Sequence, residues 1–119
     1  MKRGICLALL LSGIATAAFA AYSYDTTLPL PGKSIAGEEL QRETLFTAYA
    51  FAHRIAAPDC TNFAIVDTAV SKAKVDNKWQ EVWTIKACNR TATVPMNFEI
   101  TPTNKIYGID PMGVRVYKK

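Results

Sequence analysis

The sequence predicts an α+β domain: one long N-terminal helix packed on a curled antiparallel sheet of three to five strands, pinned by one disulfide. Three observations lead there. Apolar residues recur with a period near 3.6 from Ser34 to Ala57, then with a period of 2 from Asn62 onward. Short turn signals, Asp76-Asn77-Lys78, Asn89-Arg90 and Pro102-Thr103-Asn104, separate the period-2 runs. Two cysteines, Cys60 and Cys88, bracket the first two of those runs.

The chain opens on a segment that is not expected to belong to the domain. Lys2 and Arg3 form a basic start, Ile5 to Ala20 is apolar or small, and Ala18-Phe19-Ala20 is a small-x-small cleavage pattern. Residues 1–20 therefore read as a secretory signal peptide. A membrane anchor would need a longer apolar run. With Lys2 and Arg3 removed, the formal charge falls from +4 to about +2. That is too little for a nucleic-acid-binding face, and the basic tail of Arg115, Lys118 and Lys119 reads as a solvated end. Cys6 leaves with the signal, so Cys60 and Cys88 remain. In an oxidising compartment such a pair reads as a structural disulfide, not a closely spaced redox pair. Closing that loop is worth ~3–4 kcal/mol in the chain-entropy model.

Residues 21–33 contain Pro29, Pro31 and Gly32, show no period, and read as an extended surface leader. Residues 34–119 read as the single domain. Ser34 is the expected N-cap, and Glu38, Glu39 and Glu43 suit the positive end of a helix. Leu45, Tyr49, Ala52 and Ala56 form an apolar face with Ala48, Phe51 and Ile55 beside them, and Pro58 stops the helix. Strands follow over 62–75 (Phe63, Ile65, Val66, Val70), 79–88, 91–101 and 105–109, with a short last one near Val114 and Val116. In 91–101, Ala92, Val94, Met96, Phe98 and Ile100 alternate with polar residues, giving one buried and one wet face. Pro95 cannot donate to a ladder and is expected at an edge or bulge. If 62–75 and 79–88 pair as a hairpin, Cys60 and Cys88 become neighbours, which is the geometry a disulfide requires.

Familiar catalytic patterns are missing from the sequence. The single histidine, His53, lies in the helix, no His/Cys/Asp/Glu group has zinc-ligand spacing, and no G-x-S-x-G, H-E-x-x-H or phosphate loop occurs. Glu39 and Glu43 read as helix-start acids near Arg42, not as a catalytic pair. Asn89-Arg90-Thr91 matches a glycosylation sequon, but in a tight turn of a chain with a bacterial-type signal it is incidental. Trp79 and Trp83 share one strand face with Glu81 between them. Facing inward they are core, and Glu81 needs a margin position or a cation such as Arg54; facing outward they are an aromatic strip for a ligand or partner.

The segment Trp79-Gln80-Glu81-Val82-Trp83-Thr84-Ile85-Lys86-Ala87-Cys88, followed by Val94-Pro95-Met96-Asn97-Phe98, resembles a W-x-E-x-W-x-V-x-A-C and V-P-x-x-F pattern of small uncharacterised exported bacterial proteins. The resemblance implies an envelope or secreted location and no particular activity. The architecture also resembles the cystatin-like arrangement of a helix wrapped by a sheet, although the inhibitory Q-x-V-x-G hairpin is replaced by Val75-Asp76-Asn77-Lys78-Trp79.

The resulting expectation is an exported, non-catalytic binding or interaction module of the bacterial periplasm or cell exterior. Trp79, Trp83 and Tyr107 are its candidate interaction surface, and its partner is another envelope or secreted protein. No cofactor, metal or nucleic acid and no stable membrane span are expected. Two alternatives stand beside it. One is an inhibitor of a secreted hydrolase acting through Asp76–Lys78 or Pro102–Asn104. The other is a small envelope enzyme using His53 with a carboxylate such as Asp59.

Overall fold

The computed structural model describes residues 22–118; the expected signal peptide lies outside them. Among the described residues the order is β1 (Ser23–Tyr24), α1 (Glu38–Phe51) running into a π-helical turn (Ala52–Ala56), β2 (Asn62–Val75), β3 (Lys78–Ala87), β4 (Arg90–Ile100), β5 (Lys105–Ile109), a 3-10 turn (Pro111–Gly113) and β6 (Arg115–Lys118).

This overturns the expected fold class. The chain is mostly sheet, 47% strand against 23% helical, and its helical segment is short, 19 residues with the π turn included. A long helix as the organising layer, and with it the cystatin-like arrangement, is not what the chain forms. The sheet has six strands in the order β1-β2-β3-β4-β5, with β6 also pairing β4. It is mixed, because β1 runs parallel to β2 while the other pairs are antiparallel.

The helix is shorter than its sequence pattern because its first residues are claimed by the sheet. Ser34 N–H donates to Thr68 Oγ1, and the Ile35 and Ala36 N–H groups donate to Glu81 Oε2. Those amides are held outside any helix, Ser34 only caps a local turn to Ala36, and Gly37 becomes the N-cap. At the other end, the wider π turn changes the residue spacing, and Ile55, expected on the buried face, is 42% exposed. Leu40, Leu45, Ala48, Tyr49, Ala52 and Ala56 do join the core.

β2 and β3 pair from Phe63↔Ala87 to Val75↔Lys78 around the two-residue turn Asp76-Asn77, both at positive φ as a tight hairpin turn demands. A register break between Ile65 and Asp67 resets the alternation, so that after Phe63 and Ile65 it is Thr68, not Asp67, that turns inward. The pairing brings Cys60 and Cys88 to a Cα separation of 5.9 Å, and they are disulfide-bonded. Pro95 lies in the interior strand β4, at the gap between the stretch paired to β5 (Met96–Ile100) and the stretch paired to β6 (Arg90–Thr93). An interior strand holds this proline at the one place where its far-side ladder is interrupted.

The leader is not a loose surface run. Lys33 N–H donates to Thr68 O, Thr68 Oγ1 donates to Pro31 O, and Leu30 N–H donates to Gln41 Oε1. Gln41 Nε2 returns a bond to Ala36 O. Gly32, at φ +100°, passes so close to Thr68 that a Cβ would lie 2.4 Å from its backbone nitrogen and oxygen. Leu30 and Ala36 are buried in the core.

Candidate functional site

Side chains on the core face of β3 alternate inward as Trp79, Glu81, Trp83, Ile85 and Ala87. Both indoles are therefore inside: Trp83 is 0% exposed and Trp79 5%. The aromatic strip considered from the sequence is not at the surface. Phe98, opposite Trp79 on β4, stacks on it at 5.1 Å and tilts against Trp83 at 6.1 Å. Of the three proposed interaction residues only Tyr107, opposite Phe98 on β5, is exposed, at 37%.

The fully buried Glu81 needs neither a margin position nor Arg54. Trp79 Nε1–H donates to Oε2 and Trp83 Nε1–H to Oε1, each at 2.8 Å. The Ile35 and Ala36 amides add two more donors to Oε2 at 3.0 and 3.2 Å. Four N–H groups thus converge on one carboxyl group, the condition under which burying such a group is tolerable. The W-x-E-x-W spacing has a structural cause: residues i and i+4 of a strand flank i+2 on one face, so both indole N–H groups reach the same carboxyl. This is a latch between leader and sheet.

Tyr49 plays a similar part. Its hydroxyl donates to Asp25 O at 2.7 Å and accepts from Ile65 N–H at 2.8 Å. Burial pushes its pKa up to about 12, against the opposing bond from Ile65.

His53, on the π turn, has its ring stacked on Tyr22 at 4.2 Å, with Phe63 edge-on at 5.6 Å. Asp59 is engaged by Arg90, whose guanidinium also donates to Ala56 O and so ties the end of the helical segment to β4. The hydrogen bond from Arg90 to Asp59 raises the arginine pKa further. The imidazole packs among aromatic rings, and the Asp59 carboxylate anchors Arg90. Among the described residues no group of three or more His, Cys, Asp or Glu side chains could hold a metal ion, and no helix is long and apolar enough to cross a membrane.

An open groove lies on the sheet at the β2–β3 hairpin end, with a volume of about 510 Å³. Directly paired residues share a face, so the register defines two rows there. One is Lys72–Gln80–Asn97–Gly108 and the other Val75–Lys78–Glu99–Ile106. Both rows are on the face opposite Trp79 and Phe98, away from the core. Ser71 Oγ donates to Gln80 Oε1, and Gln80 Nε2 donates to Asn97 Oδ1. Val75 is 65% and Ile106 48% exposed. The loop Pro102–Asn104 borders a second, smaller hollow with Glu43 and Lys105.

No protein family, curated protein or solved structure matches the chain. Its own residues carry the functional reading.

Sequence reasoning put the aromatic residues of β3 forward and missed the outer face behind them. Trp79 and Tyr107, put forward from the sequence, and Lys78, named there for the inhibitor alternative, are among the residues that line the groove, whereas Lys72, Ile106 and Gly108 were not singled out. The available signal was Gly108, a glycine inside a strand pattern, which marks a bulge or the close approach of something else.

Proposed function

We propose that the chain is an exported, non-catalytic binding module of the bacterial periplasm or cell exterior, and that it holds its partner in the groove on the outer face of the sheet. The groove itself carries this reading. It combines exposed Val75 and Ile106 with Lys72 and Lys78, for which the described residues provide no ion-pair partner. The buried polar side chains Gln41, Thr68 and Glu81 are spent on the fold, since all three fasten the leader. The basic start followed by a small-x-small pattern, together with the Cys60–Cys88 disulfide, supports the exported location. The test is capture from bacterial envelope extract with disulfide-intact chain, alongside a Gly108→Leu variant that fills the groove. A component retained by the first and lost by the second supports the module; equal retention by both, or no specific retention, removes the groove as the binding site.

A further inference from the structure

β5 is an outer strand of the sheet, and the bonds at its two ends fix where its backbone groups point. Thr101 and Asn104 exchange N–H···O bonds across the turn before it, and Asp110 N–H donates to Pro95 O after it. Antiparallel ladders alternate between bonded and unbonded pairs. In the register that runs from Ile100↔Lys105 to Met96↔Ile109, Ile106 and Gly108 are therefore the residues bonded to β4. Ile100 N–H, which donates to Asn77 O on the β3 side, fits the same alternation. Lys105, Tyr107 and Ile109 point their backbone groups off the sheet. Among the described residues the Lys105 N–H alone finds a partner there, Asn104 Oδ1.

The sheet guards its edges unequally. Beyond β1, the free edge of β2 carries Lys72 and Lys74 and shifts register between Val70 and Lys72 and between Lys72 and Val75, features that discourage strand addition. β5 keeps its register on β4 without a shift, and its one charged residue, Lys105, is engaged by Glu39 at 3.5 Å. The rest of the strand is Ile106, Tyr107, Gly108 and Ile109. Gly108 is not at positive φ, and a Cβ there would meet nothing within 4 Å, so neither backbone nor packing within the chain calls for a glycine.

We propose that β5 pairs antiparallel with β5 of a second copy of this chain, about a two-fold axis at Tyr107. Ladder parity sets Lys105, Tyr107 and Ile109 against one another, and the register centred on Tyr107 uses all three. Tyr107 exchanges N–H···O bonds with Tyr107 of the second copy, and each Ile109 N–H donates to Lys105 O of the other. Lys105 lies opposite Ile109, so no like charges meet. Ile106 lies opposite Gly108 of the other copy, in the unbonded pairs whose Cα atoms come closest, about 4.5 Å apart. The isoleucine packs where the glycine omits its Cβ, which gives Gly108 its reason. That match of large side chain to bare backbone is supplied by a second copy and not by an arbitrary peptide strand. Two-fold closure consumes both β5 edges, so assembly stops at the dimer. Five residues per copy make a small interface, so the dimer is a weak, concentration-dependent one. The pairing goes beyond the binding-module reading and is measured on the purified chain with no partner present, so either can fail without the other.

The experiment is sedimentation velocity on the disulfide-intact chain, from micromolar to millimolar concentration, with Tyr107→Lys, Tyr107→Glu and an equimolar mixture of the two. Tyr107 is exposed, lies on the Phe98 side of β5 and belongs to neither groove row. Wild type should move from one copy toward two as concentration rises. Each variant alone should stay monomeric, because its like charges meet at the axis, and the mixture should associate about tenfold more tightly than either component. Should a charge at 107 disturb the fold, read from the urea midpoint, Ile106→Lys replaces both variants. It removes the side chain seated over Gly108 and should weaken association at least about tenfold. A wild-type chain that stays monomeric throughout overturns the pairing, as does undiminished association of any of the three variants. A mixture no stronger than its components overturns the Tyr107 register, and masses beyond two copies overturn the closed dimer.

Discussion

Replacing Glu81 with Gln exchanges one carboxyl oxygen for an amide nitrogen at the meeting point of four N–H groups. The better orientation keeps the remaining oxygen where Oε2 serves Trp79, Ile35 and Ala36, and turns the NH2 toward the Trp83 indole N–H. Two buried donors then face each other. Leaving a buried donor unsatisfied costs about 1–3 kcal/mol, so Glu81→Gln should cost about 2–3 kcal/mol. Trp83→Phe removes the opposing donor and leaves Oε1 without its partner, for a cost of the same order. Combined, the two changes remove the donor clash, and the double variant should be about 1–2 kcal/mol more stable than the sum of the single effects predicts. With a urea slope of about 1–3 kcal/mol/M, Glu81→Gln alone lowers the midpoint by roughly 1–2 M. Urea unfolding of all four species, followed by far-UV circular dichroism, measures this cycle. Additivity within ~0.5 kcal/mol would show that Glu81 and Trp83 are not coupled as the distances require, and would refute the latch.

Three further outcomes are expected. Reducing Cys60–Cys88, or replacing both cysteines with serine, should cost ~3–4 kcal/mol for a loop of this length, read as a lower urea midpoint. Gly32→Ala should cost more than ~1–2 kcal/mol, because the new methyl meets the Thr68 backbone at a positive φ, and should raise proteolysis of the leader before global unfolding. The buried Tyr49 phenol keeps its proton to about pH 12, whereas in the unfolded chain it ionises near ~10. Its contribution is therefore complete below pH ~10 and falls by ~2–3 kcal/mol as pH rises through about 12. Tyr49→Phe should flatten that part of the stability profile, and an unchanged alkaline slope would exclude Tyr49 as its source.

The parts of this fold that were legible in the sequence are those governed by local pattern. Ala92, Val94, Met96 and Phe98 are all buried as their alternation indicates, and the β2–β3 pairing with its disulfide follows from the cysteine positions and a two-residue turn. What was not legible depends on distant partners. The helix begins late because Thr68 and Glu81 take the amides of residues 34–36, a competition that no window around residue 34 contains. Thr68 turns inward because of a bulge whose register is set by β3. For the candidate site, the burial of Trp79 and Trp83 was open because Glu81 looked too polar for a core. Its partners are the two indoles themselves and two amides 45 and 46 residues earlier in the chain.

The fastening of the leader also sets a chronology. Residues 30–36 emerge from a growing chain well before the groups that hold them, which belong to Gln41, Thr68 and Glu81, up to 46 residues downstream. Closing so wide a span early carries an entropy penalty with no reward until the β2–β3 hairpin exists. This stretch therefore gains its fastening only once its partner strands β2 and β3 are in place.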